Sequence, residues 1–237
     1  MRSKKSPRTS GNVKCETKRQ ICFTIYKMRI LITAGGTREY IDPVRFISNA
    51  SSGKMGYALA RAALKAGHKL ALITTPTAQK PPSAAKLVNV ETAAQMFEAV
   101  KKHFSRCDCL IMAAAVADYT PARPAKAKIR KTGESLTVKF KPTTDILKWA
   151  GKHKKKDQIV IGFALEDRNL RVRAEKKLNE KNLDMIVANT CAAIGAEKST
   201  VQIKMPGSKW LKLLKASKAV IAGKVISLAG SIYKPAR

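Results

Sequence analysis

Between Ala34 and Ala58 the chain gathers the parts of an anion site. They are a Gly35-Gly36 turn, the arginines Arg38 and Arg45, and the run Ser51-Ser52-Gly53-Lys54-Met55-Gly56. Glycine lets backbone N–H groups approach a phosphate closely, and the first turn of a helix adds unpaired N–H groups carrying about half a positive charge. Gly35, Gly36, Ser52 and Gly53 are therefore candidate phosphate-cradle residues. Two known phosphate loops are excluded by their own spacing. Walker A needs glycine where Ser48 stands and Ser or Thr where Met55 stands. A dinucleotide G-x-G-x-x-G is missing too, because the turn reads Ala34-Gly35-Gly36-Thr37-Arg38-Glu39.

Further candidates lie downstream. Asp118 follows the apolar run Cys109–Ala115, and ligands of open α/β sheets bind at the carboxyl ends of such strands. Lys177 and Lys181 stand four residues apart, which puts both ammonium groups on one helix face, where an anion between them would relieve their repulsion. The chain offers lysines, arginines, glycines and carboxylates but no Ser-His-Asp or Cys-His set. That inventory suits phosphoryl or nucleotidyl transfer, which needs charge neutralisation and alignment more than a protein nucleophile. His68, His103 and His153 lie far apart and read as surface or packed histidines. Cys107 and Cys109 are too close for C-x-x-C. Five scattered cysteines suit a reduced, cytoplasmic protein rather than a disulfide scaffold.

The elements that must position these residues alternate. Strands are expected over Arg29–Ala34, Lys69–Thr74, Cys109–Ala115, Ile159–Ala164 and Met185–Asn189. Between them helices are expected over Lys54–Ala66, Ala93–Phe104, Asp145–His153 and Arg168–Glu180. Such alternation favours parallel strands with helical crossovers. Lys126–Lys131 and Ser135–Lys141, joined through Thr132-Gly133-Glu134, read as a hairpin leaving the main sheet. A second hairpin over Thr200–Leu214 turns at Pro206-Gly207-Ser208, and a helix from Ser217 to Leu228 closes the domain. Residues 1–27 hold eight Lys or Arg, one Glu and no amphipathic period, so they read as a disordered basic tail or a misassigned start. Residues 28–237 form the domain.

No apolar run reaches the roughly 18–20 residues of a membrane span. The net charge of +31 raises a nucleic-acid reading. Against it, the charge is spread widely and is largely lysine, and no helix-turn-helix, zinc-finger or RNP-type pattern occurs. Most of the excess reads as a solvated face, with a minority serving a polyphosphate ligand.

Six motifs in order resemble one family, the phosphopantothenoylcysteine synthetases of coenzyme A biosynthesis. They are Gly35-Gly36-Thr37-Arg38-Glu39 running on to Ser52-Gly53-Lys54-Met55-Gly56, Ala113–Tyr119, Lys128–Lys131, Thr144–Leu147, Ile161–Ala164 and Lys181–Asn189. The resemblance covers about Met28 to Ala229. It implies a Rossmann-like three-layer α/β fold with a mostly parallel sheet and a protruding hairpin arm. It further implies a ligase joining 4′-phosphopantothenate to cysteine through an acyl-cytidylate, with Mg²⁺ and with CTP as co-substrate, although eukaryotic relatives use ATP. Flavin chemistry is expected in a separate decarboxylase rather than in this chain. A homodimer is implied, with no specific nucleic acid and no membrane.

The resemblance also assigns roles. Lys128 contacts the triphosphate and supports the reaction, with Arg130 where the family has lysine. Lys177 and Lys181 reach the nucleotide. Met112, Ala113, Ala114 and Asp118 border it, and Phe163, Thr143 and Thr144 contact it, although Thr143-Thr144 departs from the usual Asn-Pro or Thr-Pro. Arg45 and Asn49 hold the phosphopantothenate and the acyl-cytidylate; an asparagine amide can donate to an acyl oxygen while accepting from another group. The rival readings are a nicotinamide-dependent oxidoreductase, which lacks its glycine fingerprint here, and a basic nucleic-acid-binding module.

Overall fold

In the computed structural model, which describes residues 26–235, strands and helices alternate as the hydrophobic pattern requires. Strand β1 (Arg29–Ala34) leads to a short ribbon, β2 (Arg38–Tyr40) with β3 (Phe46–Ser48), and helix α1 (Lys54–Lys65) returns the chain to β4 (Lys69–Thr74). β5 (Lys86–Asn89) and α2 (Ala93–Phe104) carry it across to β6 (Cys109–Met112). β7 (Tyr119–Pro121) and β8 (Phe140–Pro142) pair outside the main sheet as the base of an arm. Then come α3 (Ile146–His153), β9 (Ile159–Glu166), α4 (Leu170–Glu180) and β10 (Met185–Thr190). After one 3-10 turn (Cys191–Ala193), β11 (Lys198–Lys204), β12 (Leu211–Ser217) and α5 (Lys218–Ile232) close the fold.

The main sheet runs β12-β11-β10-β9-β6-β1-β4-β5. Its six strands from β5 to β10 are parallel, and β11 and β12 extend it antiparallel. Counted along the chain, the parallel part has the 3-2-1-4-5-6 order of the Rossmann fold. The chain winds outward from β1 toward β5 and then resumes at β6 in the other direction. That reversal opens a crevice over the carboxyl ends of β1 and β6, where ligands of such sheets bind.

Successive residues of a strand face opposite ways, so β1 feeds two cores. Ile30, Ile32 and Ala34 pack with Leu59 and Ala63 of α1 and with Ile221 and Val225 of α5. Leu31 packs on the other side with Met96 and Val100 of α2, Ile146 and Ala150 of α3, and Leu178 of α4. Both faces are covered, which is why the central strands read as unbroken apolar runs. Helix α1 lies especially close to β1, since a Cβ on Gly56 would stand 2.5 Å from the Ala34 Cβ. Caps fix the helix starts. Thr92 and Gln95 form a capping box on α2, and Asp145 and Ser217 accept from Lys148 N and Val220 N on α3 and α5.

Three expectations are corrected. The arm's paired strands are Tyr119–Pro121 and Phe140–Pro142, not Lys126–Lys131 and Ser135–Lys141; residues 126–131 run irregularly because their backbone bonds elsewhere, as shown below. β6 stops at Met112 rather than Ala115, because Ala115 turns to the glycine loop, giving its N–H to Gly35 O at 2.8 Å. The edge strand β5, four residues after a proline-rich stretch, is an addition. Of the tail expected over residues 1–27, residues 1–25 lie outside the described residues. Among the described residues no helix is long and apolar enough to cross a membrane.

Candidate functional site

The glycine loop sits at the mouth of the β1–β6 crevice. Gly35 has φ 88°, and a Cβ there would lie 2.0 Å from Thr75 Oγ1, so only glycine fits. A Cβ on Gly36 would stand 2.8 Å from Asn49 O, and one on Gly53 would stand 3.6 Å from Gly35 Cα. Gly35, Gly36, Asn49 and Gly53 therefore meet in one small volume. Helix α1 opens there with no side-chain cap and no acid in its first turn, so its terminal N–H groups and positive dipole end remain for an anion. Ser52 O accepts from Thr77 Oγ1 at 2.9 Å, and Lys54 pairs with Glu197 at 2.6 Å.

The end of β6 is laced to this loop. Thr33 Oγ1 accepts from Ala114 N at 3.2 Å, Thr37 Oγ1 accepts from Ala117 N at 2.9 Å, and Gly36 bridges Ala115. Asn49 Nδ2 donates to Ala115 O at 3.3 Å and to Val116 O at 3.2 Å. Asn49 is thus tied through its amide nitrogen to the backbone at the end of β6. Asp118 is exposed at the strand end, and Thr143 closes the loop behind it, donating from N to Asp118 O at 2.9 Å and from Oγ1 to Ala117 O at 2.6 Å. Thr144 is exposed next to it.

The neighbouring strand brings the basic groups. Register places Gly162 of β9 beside Met112 of β6, so half-buried Phe163 follows the crevice edge near Ala113. Lys177 Nζ donates a hydrogen bond to Phe163 O at 2.8 Å, and Lys181 pairs with Asp145 at 2.7 Å. Burial lowers the Lys177 pKa and Lys181 lowers it further, against partial opposition from Glu166, Asp145 and Asp118. Burial pushes the Asp145 carboxyl up, but the hydrogen bonds from Lys181 and Lys148 N, with the two lysine charges, leave it below its ordinary value.

Lys128 lies on a different element from these lysines. It is exposed on the arm, and the arm is anchored to the Asp42–Arg45 turn. Asp42, only 1% exposed, accepts from Val44 N and Arg45 N at 2.8 Å each and from Ile129 N at 3.2 Å. Arg45 Nη2 donates to Ile129 O at 2.6 Å, which commits part of the guanidinium that the resemblance assigned to the phosphopantothenate. The sequence reading passed over Asp42, although Asp-Pro-Val-Arg is an Asx-turn signature that could have flagged it. Thr33, Thr37 and Glu39, all buried, were passed over as well; Glu39 Oε1 accepts from Ala93 N at the start of α2 at 2.8 Å.

The chain as a whole has relatives among known proteins. The DNA/pantothenate metabolism flavoprotein C-terminal domain matches residues 25–232. The coenzyme A biosynthesis bifunctional protein CoaBC of Bacillus subtilis (strain 168) is 48% identical over 168 residues, which are 70% of this chain and 41% of that protein. The chain spans less than half the length of the curated relatives it matches first. A crystal structure of the C-terminal domain of a coenzyme A biosynthesis bifunctional protein CoaBC is 41% identical with TM-score 0.75, over 86% of this chain and 94% of that one. The DNA/pantothenate metabolism flavoprotein from Streptococcus pneumoniae is 25% identical with TM-score 0.76, over 87% of this chain and 100% of that one. The chain belongs to the family of the DNA/pantothenate metabolism flavoprotein C-terminal domain, the phosphopantothenoylcysteine synthetases.

Proposed function

We propose that this protein is a phosphopantothenate–cysteine ligase that uses CTP. The observation that carries the reading is the convergence at the β1–β6 crevice of an uncapped helix start, the Gly35-Gly36 turn and the Asn49 amide. In the first step a carboxylate oxygen of 4′-phosphopantothenate attacks the α-phosphorus of CTP. The bond from that phosphorus to the bridging oxygen breaks, and pyrophosphate leaves. In the second step the cysteine amine attacks the acyl carbon, CMP departs with the former carboxylate oxygen, and the amine loses a proton. Gly35, Gly36, Ser52 and Gly53 cradle phosphate oxygens with backbone N–H groups. Lys177, Lys181 and Lys128 supply positive charge to the triphosphate, and Met112, Ala113, Ala114, Asp118, Thr143, Thr144 and Phe163 border the nucleotide. Arg45 and Asn49 orient the acyl group for the incoming amine of cysteine.

Among the described residues no group of three His, Cys, Asp or Glu could hold a metal. A Mg²⁺ would be carried mainly by the substrate's phosphates, with Asp118 as one carboxylate that could reach it. The protein works as a homodimer: Val44, Ile47, Tyr119 and Phe140 are 58%, 46%, 61% and 40% exposed around the two ribbons, an apolar cluster that a second copy would cover. A decarboxylase, in this or another chain, consumes the product.

The test is incubation of the protein with 4′-phosphopantothenate, cysteine and either CTP or ATP. Phosphopantothenoylcysteine with CMP and pyrophosphate supports the reading; no amide with either nucleotide overturns it.

A further inference from the structure

Residues 125–131 form no strand, yet they are fixed to the body of the protein at defined points. Ala125 N donates to Ile41 O at 2.8 Å. Four residues on, both backbone groups of Ile129 are gripped from the same turn. Asp42 Oδ2 takes its N–H at 3.2 Å, and Arg45 Nη2 gives to its carbonyl at 2.6 Å. The grip is itself braced, because Asp42 Oδ1 accepts from Val44 N and Arg45 N, and Arg45 Nη1 lies 3.5 Å from Asp42 Oδ2. A purely local Asx turn would satisfy one carboxylate oxygen and leave the other to water. Here the second oxygen is turned to a segment 87 residues away, inside a site where the carboxylate is 1% exposed. The residues on either side of Ile129 are Lys128 and Arg130, two of the arm's cations.

We propose that Asp42 and Arg45 are positioning residues that aim Lys128 and Arg130 at the reacting phosphates by clamping Ile129 between them. The anchoring stands on the geometry alone; its effect on turnover rests on the ligase reading given above. Arg45 joins the arm to its own turn, since Nη2 holds Ile129 O while Nη1 lies 3.5 Å from Asp42 Oδ2. Substrate bound at Arg45 would therefore stiffen the arm that brings the triphosphate's cation. Burial pushes the Asp42 carboxyl up, but the N–H groups of Val44, Arg45 and Ile129 and the Arg45 charge outweigh it and leave it below its ordinary value, as an ionised clamp requires.

The experiment compares wild type, Asp42→Asn and Ile129→Pro, the second removing the same hydrogen bond from the exposed arm should the first fail to fold. Amide hydrogen exchange across residues 125–131 reads the anchor without any need for turnover. Protection there should fall at least about tenfold in either variant while helix α1 keeps its own. In the ligase assay kcat should fall about tenfold or more with the cysteine KM little changed. Lys128→Ala should cost at least about tenfold less in the Asp42→Asn background than in wild type, because an unaimed lysine has little left to lose. Unchanged arm protection overturns the clamp. Loosened protection with a full Lys128→Ala penalty in both backgrounds overturns the positioning role. Failure of amide synthesis in wild type would strike the ligase reading, while the exchange result would still decide the anchor.

Discussion

Lys177 Nζ donates a hydrogen bond to the carbonyl of Phe163 at 2.8 Å, while Lys181, one turn on, pairs with the carboxylate of Asp145 at 2.7 Å. The two lysines share a helix face but not a fate. Lys181 has its charge paired, whereas half-buried Lys177 meets only a neutral acceptor and keeps its charge uncompensated there. Burial lowers the Lys177 pKa, and the Lys181 charge lowers it further.

The sign of the pH dependence follows. The protonated amine binds the triphosphate, so its contribution is present below its pKa and lost above it. Because that pKa is lowered, CTP affinity should decline with rising pH before the ordinary lysine value of about 10.4 is reached. Lys177→Arg should remove this decline, since arginine stays charged. Calorimetric CTP titrations across the alkaline range check it; identical profiles for both proteins would contradict the role.

Lys128→Ala should lower kcat by about 10²–10³ with the fold intact, the usual cost of removing one preorganised charged contact to a transition state. Turnover measured beside a thermal melt separates this from misfolding. A folded variant with near-normal kcat would remove Lys128 from the chemistry.

Asn49→Asp should damage pyrophosphate release more than Asn49→Ala, by about tenfold. Alanine deletes the tie to Ala115 O and Val116 O, whereas aspartate points a carboxylate at both carbonyls and prises the loop from β6. Equal rates for the two variants would mean that the side chain acts on the ligand alone.

Gly56→Ala should destabilise by about 1–3 kcal/mol through overpacking, because its Cβ would stand 2.5 Å from Ala34 Cβ and 3.0 Å from Ala34 Cα. Denaturant midpoints read this directly, and an unshifted midpoint would show that α1 can move away from β1.

Local signals made much of the framework legible. Helix α2 has the expected bounds because Thr92 and Gln95 announce its start and the stripe Met96, Phe97 and Val100 its face. Strand β4 was readable from its apolar run, and Gly67, with φ 81°, marks the end of α1. The arm and the Asp42 clamp were not readable for a shared reason. Tyr119–Pro121 and Phe140–Pro142 are three residues each, too short to show a period, and Asp42 meets Ile129 across 87 residues. The tie of Asn49 to Ala115 O and Val116 O was not readable either, because it depends on carbonyls freed by the early end of β6.

Carboxylate oxygen transfer gives the most direct test of the proposed chemistry. The ligase reaction is run with 4′-phosphopantothenate carrying oxygen-18 in its carboxylate, together with cysteine and CTP, and the nucleotide product is analysed by mass spectrometry. Attack of that carboxylate on the α-phosphorus predicts CMP bearing one labelled oxygen for each amide formed. Unlabelled CMP alongside amide, or label appearing in inorganic phosphate instead, would contradict an acyl-cytidylate in the crevice between β1 and β6.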